Sequence, residues 1–362
     1  MRRHADAIPA VLGIDIGGTK TAAALIPASA TPETEIRLPA RVPTPAGGGA
    51  AAVLAAALDL AEDRLTQARA AGMDVIACGV GSAGTIGDNG VVTHATDALP
   101  GWRGTDLATA FTQRLGLPVT VLNDVHAWAL GEARHGAARG SHLALVLTIG
   151  TGVGGALVRD GELLRGRNGM AGSLGHTPAV LPPNADADRP CPCGATGHLE
   201  AYASGPAILS AYHARGGTAP DLGSLSAALH NTEPPALGPL SAAQRNTEPP
   251  TPRTPTSTTD LRDLIELSGH QDQAESADPL AHEVIREAAV ILGRSIASAA
   301  TLLDPDVIVL GGGVTGLGDL LTVPLIETIR RYAPRGLAAV PVRLSTLGSH
   351  GAVLGAASAA IP

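Results

Sequence analysis

The densest chemistry in this 362-residue chain lies in CPCGATGHLE, residues 191–200. Cys191 and Cys193 are spaced C-x-C and His198 follows five positions after the second thiol. Thiolate and imidazole are the ligands zinc prefers, but a closed tetrahedral site takes four and this stretch offers three. A fourth ligand must come from elsewhere if the cluster holds metal, and a pair of free thiols in a loop is the alternative. A disulfide fits poorly, because C-x-C closes no useful loop and the only other cysteine, Cys78, sits alone in an apolar run.

Three glycine clusters carry a second kind of chemistry: DIGGTK (15–20), TIGTGVGG (148–155) and GGGV (311–314). The first matches neither a Walker A loop nor a dinucleotide fingerprint, since the spacing differs and a strand rather than a helix follows. The first two read as strand, tight turn, strand. Two such turns, presenting backbone N–H groups and threonine hydroxyls, are suited to grip a polyphosphate from both sides. Gly17, Gly18 and Thr19 form one grip, and Thr151 and Gly152 the other. Asp15 is placed to hold Mg²⁺ through water. Gly312 and Gly313, in a cluster that reads as opening a helix, suit the adenosine end. Lys20 is the single lysine among 25 basic residues, which is either chance or the mark of a compact ammonium on a flexible stem being wanted beside the phosphates. Asn123 and Asp124 close the strand PVTVLND, where an Asx turn is their ordinary explanation.

The elements that must carry these residues alternate between strand and helix. Residues 10–26 read as a hairpin, 50–72 as an alanine-rich helix ended by Gly72, and 74–84 as a strand running into a glycine loop at Gly84. A helix at DLATAFTQRLG, a second hairpin at 141–158, a long helix at AHEVIREAAVILGRSIASAATLLD, the strand DVIVLGGGV and a terminal helix follow. Hydrophobic residues make up 44% and aromatics 2%, so the core must be built of Ala, Val, Leu and Ile. The length allows two domains. A net charge of −8 gives no electrostatic reason to expect nucleic acid or an anionic membrane as partner. No apolar run is long enough to span a bilayer, no cleavable leader is evident, and cysteines are few, so the cytoplasm is the expected compartment.

Residues 217–279 differ in texture. LSAALHNTEPP (225–235) and LSAAQRNTEPP (240–250) are near-copies fifteen residues apart, rich in Pro and Thr. They read as a local duplication inside a mobile surface insertion.

The glycine clusters, with LPGW (99–102), LLRGRNGMAGSLGHTPAV (163–180) and EAYASGPAI (200–208) in the same order, resemble the ROK family of bacterial sugar kinases and sugar-responsive repressors. The likeness covers nearly the whole chain outside 217–279. It implies an α/β, two-domain actin-like ATPase fold of the ribonuclease-H-like kind, with the active-site cleft between domains. The small domain would be residues 1–124 completed by the helix within 350–362, and the large domain 125–349. The resemblance also implies that His176 is the fourth ligand of a structural zinc site with Cys191, Cys193 and His198. It makes Asp124 the general base toward a primary hydroxyl, with Gly84, Asn123, Ser173, His176 and Glu200 around the sugar. ATP, Mg²⁺, structural Zn²⁺ and a homo-oligomer, dimer or tetramer, belong to the same expectation.

Two departures from the family pattern matter. The family usually has a third cysteine at the position of His198, and glutamate at the position of Ser173, where it accepts hydrogen bonds near C1 and C2 of the sugar. Asp97 lies near a position where the family tends to place asparagine. The expected function is ATP-dependent phosphorylation of a hexose or hexose-like substrate, as in a glucokinase. An N-acetylhexosamine or cyclitol kinase, or a sugar-sensing protein of weak or no activity without DNA binding, is the alternative. A repressor is disfavoured because only ten residues precede the first strand, where repressors carry a DNA-reading module.

Overall fold

The structure, a computed structural model, describes residues 7–29, 36–96, 98–183, 185–230 and 278–361. Asp97 and the second of the two near-copies lie outside the described residues. The first half runs through β1 (Ile8–Ile16), β2 (Lys20–Pro27), β3 (Arg37–Pro43), α1 (Gly49–Ala70), β4 (Met73–Ser82), the short hairpin β5 (Thr85–Ile86) and β6 (Val92–His94), α2 (Leu107–Leu115) and β7 (Val119–Asn123). Helix α3 (Asp124–His135) then leads to β8 (Leu143–Ile149), β9 (Val153–Arg159) and β10 (Glu162–Leu164). Helices α4 (Glu200–Ala203), α5 (Gly205–Ala214), α6 (Leu222–His230) and α7 (Pro279–Leu303) follow, then β11 (Val307–Gly311), α8 (Asp319–Tyr332), β12 (Val342–Leu344) and α9 (Gly351–Ala359).

Two five-stranded sheets share one topology. The first has the order β3-β2-β1-β4-β7 and the second β10-β9-β8-β11-β12. In each, three strands form an antiparallel meander and two more join in parallel. The central parallel strand β11 is buried at every position, as its unbroken apolar run VIVLG requires. One core gathers Leu12, Ile14, Leu25, Trp102 and Phe111 against the first sheet. Another gathers Leu147, Ile285, Leu292, Ile296 and Leu325 against the second. Local chemistry sets the helix ends: the Asp106 carboxylate accepts from Thr109 N and caps α2, which stops at Gly116 in the left-handed region.

The two sheets exchange helices. Helix α3 leaves the last strand of the first sheet and packs on β8 and β9 of the second. Helix α9 leaves the last strand of the second and packs on β1, β2 and β4 of the first. The two helices cross with backbone against backbone: a Cβ on Gly355 would lie 1.6 Å from the Ala127 carbonyl oxygen, and one on Gly131 would lie 2.4 Å from that of Gly351. Only glycine permits that approach. The terminal helix thus lies on the first sheet.

One expectation needs correction. Order does not end at residue 217: α6 extends to His230, and Leu225 is fully buried in the second core. An apolar side chain with a core to enter does not stay in a mobile insertion. Among the described residues, no helix is long and apolar enough to cross a membrane.

Candidate active site

The shared topology puts the two expected phosphate turns in equivalent places, each joining the first two strands of its sheet. At the first, Gly17 N donates to the Lys20 carbonyl at 3.1 Å, and Thr44 N donates to the Thr19 carbonyl at 3.0 Å. The buried hydroxyls of Thr21 and Thr44 meet at 2.9 Å, fixing the hairpin to β3. Lys20 itself is exposed. At the second turn, Gly150 N donates to the Gly152 carbonyl and the Gly150 carbonyl accepts from Gly205 N, both at 2.8 Å. A Cβ on Gly150 would lie 3.9 Å from Gly313 N, so the third glycine cluster adjoins the second turn. That cluster does not open an α-helix directly. Gly313–Leu317 is a single 3₁₀ stretch, and α8 begins only at Asp319.

Asn123 and Asp124 stand at the junction of β7 and α3, where the sequence suggested an Asx turn. The side-chain chemistry is of that kind but serves a helix: Asn123 Oδ1 accepts from His126 N at 3.1 Å and caps α3. Asn123 Nδ2 donates to the Gly84 carbonyl and to Asp124 Oδ1, each at 2.9 Å. Val125 N also donates to Asp124 Oδ1, at 2.9 Å. Two of these bonds orient Asp124 Oδ1 and leave Oδ2 as the acceptor. Gly84 has φ +99° and a Cβ there would meet the His94 carbonyl oxygen at 2.5 Å, so glycine is required where Asn123 anchors.

A cavity of about 880 Å³ opens beside this junction. Gly84, Asn123, Ser173 and His176, four of the expected sugar contacts, line it, together with His126, Trp102 and Val153. Asp124 is flanked by two lining residues, Asn123 and Val125. Ser173 heads a 3₁₀ turn, Leu174–His176, without capping it through its side chain. Glu200 is placed differently from the rest: its Oε2 accepts from Val153 N at 2.9 Å and packs against Gly152, so it braces the second turn.

His176, Cys191, Cys193 and His198 converge, their candidate ligand atoms all within 4.8 Å of one another. Cys191 Sγ is 3.4 Å from Cys193 Sγ and 3.8 Å from His176 Nδ1, and Cys193 Sγ is 3.2 Å from His198 Nδ1. Zinc bonds of about 2.3 Å to sulfur and about 2.0 Å to nitrogen imply tetrahedral edges of roughly 3.4–3.8 Å. The donor set and its spacing therefore fit zinc, and four protein ligands leave no position for a reacting water.

The electrostatics single out two carboxyls. Burial, reinforced by the charge of Asp124, raises Asp15 from the ordinary 3.8 to about 7, against the opposing pull of Lys20 and Arg41. Burial also raises Asp124, opposed by its hydrogen bonds from Val125 and Asn123. Two desolvated carboxyls within electrostatic reach of one another suit a divalent, oxygen-loving cation such as Mg²⁺. His126, a residue that sequence reasoning missed, is buried on the first turn of α3, and desolvation with the nearby Arg165 charge lowers it to about 4. It lines the cavity as a neutral imidazole. Its only signal in the sequence was a histidine two residues after the Asn-Asp pair.

Comparison with known proteins agrees with this arrangement. The ROK family profile matches residues 11–361. A glucokinase from Halalkalibacterium halodurans is 34% identical over 346 residues, covering 95% of this chain and 92% of its own. A ROK hexokinase from Thermus thermophilus superposes with a TM-score of 0.70 at 31% identity, covering 97% of each chain. A ROK family glucokinase from Streptomyces griseus, solved in complex with glucose and AMPPNP, superposes at 0.67 with 30% identity, over 97% of this chain and 99% of that one. With two matched lobes, paired glycine turns and the Asn-Asp junction at the cavity, the chain belongs to the ROK family, as one of its ATP-dependent sugar kinases.

Proposed function

We propose that the protein transfers the terminal phosphoryl group of ATP to the primary hydroxyl of glucose or a closely related hexose, with Asp124 as general base. The observation that carries this reading is the position of Asp124. It sits next to the cavity-lining Asn123, within electrostatic reach of Asp15 beside the first glycine turn, and with Oδ2 left to accept a proton. Phosphoryl transfer asks little more of a protein than alignment, charge neutralisation and one proton acceptor. Asn123 orients the base and ties it to Gly84. Gly17–Lys20 and Gly150–Gly152 face the phosphates. Asp15 and Asp124 would hold Mg²⁺, which when bound neutralises phosphate charge. His176, Cys191, Cys193 and His198 would hold zinc as a structural brace for the loop that carries Ser173. The glucose and AMPPNP of the Streptomyces griseus relative support the substrate pair.

Ser173 favours a second reading of the acceptor. A neutral hydroxyl replaces the charged acceptor that the family places near C1 and C2, so a hexose substituted there, such as an N-acetylhexosamine, is the runner-up. A coupled ADP-release screen over hexoses, N-acetylhexosamines and cyclitols decides between them. In the same assay Asp124→Asn should lower kcat by about 10²–10⁴-fold with nucleotide binding nearly intact. Retention of more than about a tenth of the wild-type rate removes Asp124 as the base.

A further inference from the structure

Three strands of the first sheet place one residue each in a single row. Asp15 on β1 pairs with Ala22 on β2, and Ala22 pairs with Arg41 on β3. Residues directly opposite one another in antiparallel strands point to the same face, and each strand adds about 4.8 Å. The three side chains therefore share a face, with only a methyl group between the carboxyl and the guanidinium. Lys20, two residues before Ala22 on β2, points the same way.

That face is the one covered by α9. Ala22 packs on Val353, and the Gly13 backbone lies against the same residue. Leu38, Ala40 and Val42, which alternate with Arg41 along β3, turn to the opposite face and its core. Asp15 is two residues further along β1 than Gly13, toward the glycine turn, so the row crosses the sheet near the start of α9. Arg41 Nη2 donates to Ser349 Oγ at 3.2 Å, in the 3₁₀ turn Gly348–His350 just before that helix. Arg64, Arg114 and Arg215 all bind carboxylates, whereas no carboxylate among the described residues lies within ion-pair distance of Arg41. Its charge does reach Asp15, whose carboxyl it helps to draw down.

We propose that Arg41, at the end of the row that starts at Asp15 and on the same face as Lys20, is a second cation for the terminal phosphate of the nucleotide. The assignment rests on reading the first glycine turn as a phosphate site. A planar guanidinium offers two parallel N–H donors to a phosphate, where the ammonium of Lys20 acts as a point charge. The pair would thus divide the work, Lys20 attracting the polyphosphate and Arg41 orienting its last group.

Equilibrium titration of the purified protein with MgATP and with MgADP tests this without an acceptor sugar. Arg41→Ala should weaken MgATP about tenfold or more while leaving MgADP within about threefold, and Arg41→Lys should fall between. Ser349→Ala should bind both within about twofold of wild type, and unchanged melting temperatures should exclude misfolding. The inference is overturned if Arg41→Ala binds MgATP normally, if it weakens both nucleotides equally, or if Ser349→Ala reproduces its loss. Lys20→Met separates the two levels of the argument. Weakened MgATP binding there with a normal Arg41→Ala sinks only the role of Arg41, whereas normal binding in both sinks the phosphate site itself.

Discussion

Glu200 joins two parts of the site: its Oε2 accepts the Val153 N–H at 2.9 Å, and its Oε1 lies 3.9 Å from Cys191 Sγ. The His/Cys cluster is thereby coupled to the strand that follows the second glycine turn. His198 and Glu200 lie two residues apart at the start of α4, so whatever fixes the cluster also fixes the brace. Metal loss should therefore be felt at the phosphate turn as well as in the sugar cavity.

Purified protein should contain about one zinc per chain by elemental analysis. Cys193→Ser should lose the metal, melt at lower temperature, and show raised KM for both sugar and MgATP, because four-ligand zinc sites contribute folding energy directly. Full activity in metal-free protein would end the structural-zinc reading.

The Asp15 carboxyl supplies a pH prediction with a definite sign. Its folded pKa of about 7 lies above the unfolded 3.8, so between these values the native state binds more protons than the unfolded chain. Stability must then fall as pH rises from about 4 to about 7, by at most about 4 kcal/mol for a shift of this size. Asp15→Asn removes the buried charge and should raise the melting temperature at pH 8 much more than at pH 4. In the wild type, kcat/KM should decline below about pH 7 as the Asp15 carboxyl protonates, and saturating Mg²⁺ should move that decline to lower pH. Equal thermal shifts for Asp15→Asn at both pH values would contradict the assignment.

Leu225 marks where the fold resumes being indispensable. Its burial against the second core predicts that Leu225→Ala costs about 2–4 kcal/mol in chemical denaturation, whereas the exposed Asp221, whose carboxylate accepts from Ser224 N at the start of α6, should cost about 1 kcal/mol when changed to alanine. A deletion of the insertion that begins at residue 223 should destabilise the protein for the same reason. If Leu225→Ala is neutral, α6 contributes nothing to the core.

The glycine turns were legible in the sequence because their signal is local: DIGGTK and TIGTGVGG announce tight turns between apolar runs without reference to anything distant. The resemblance supplied the family and the positions of His176 and Asp124. Helix α3 was not legible, because Asn123 carries the same side-chain chemistry in an Asx turn and in a helix cap, and the residues behind it are buried nearly all round and show no polar stripe. The exchange of α3 and α9 between sheets and the contact between Arg41 and Ser349, 308 positions apart, are products of topology, which no short window of sequence contains. Leu225 was misread because composition was averaged over a segment whose first helix belongs to the core.

Ser173 remains the residue most informative about the substrate. It lines the cavity beside His176, and its side chain makes no capping bond to its own turn, so it is available to a ligand. It is too short and too neutral to act as the charged acceptor that the family places there. Loss of such an acceptor should appear as altered selectivity, because the proposed proton acceptor, Asp124, is a separate residue at the β7–α3 junction. Ser173→Glu should therefore raise kcat/KM for glucose about tenfold or more, equivalent to regaining about 1.4 kcal/mol of hydrogen bonding to a charged group. The same change should impair a natural substrate that carries a bulkier or non-hydroxyl group at C1 or C2, since the new carboxylate would be crowded or left unpaired. Both acceptors should be measured on both proteins. A wild type that already phosphorylates glucose at a micromolar KM, together with a glutamate variant that is worse on it, would show that Ser173 is fitted to glucose itself.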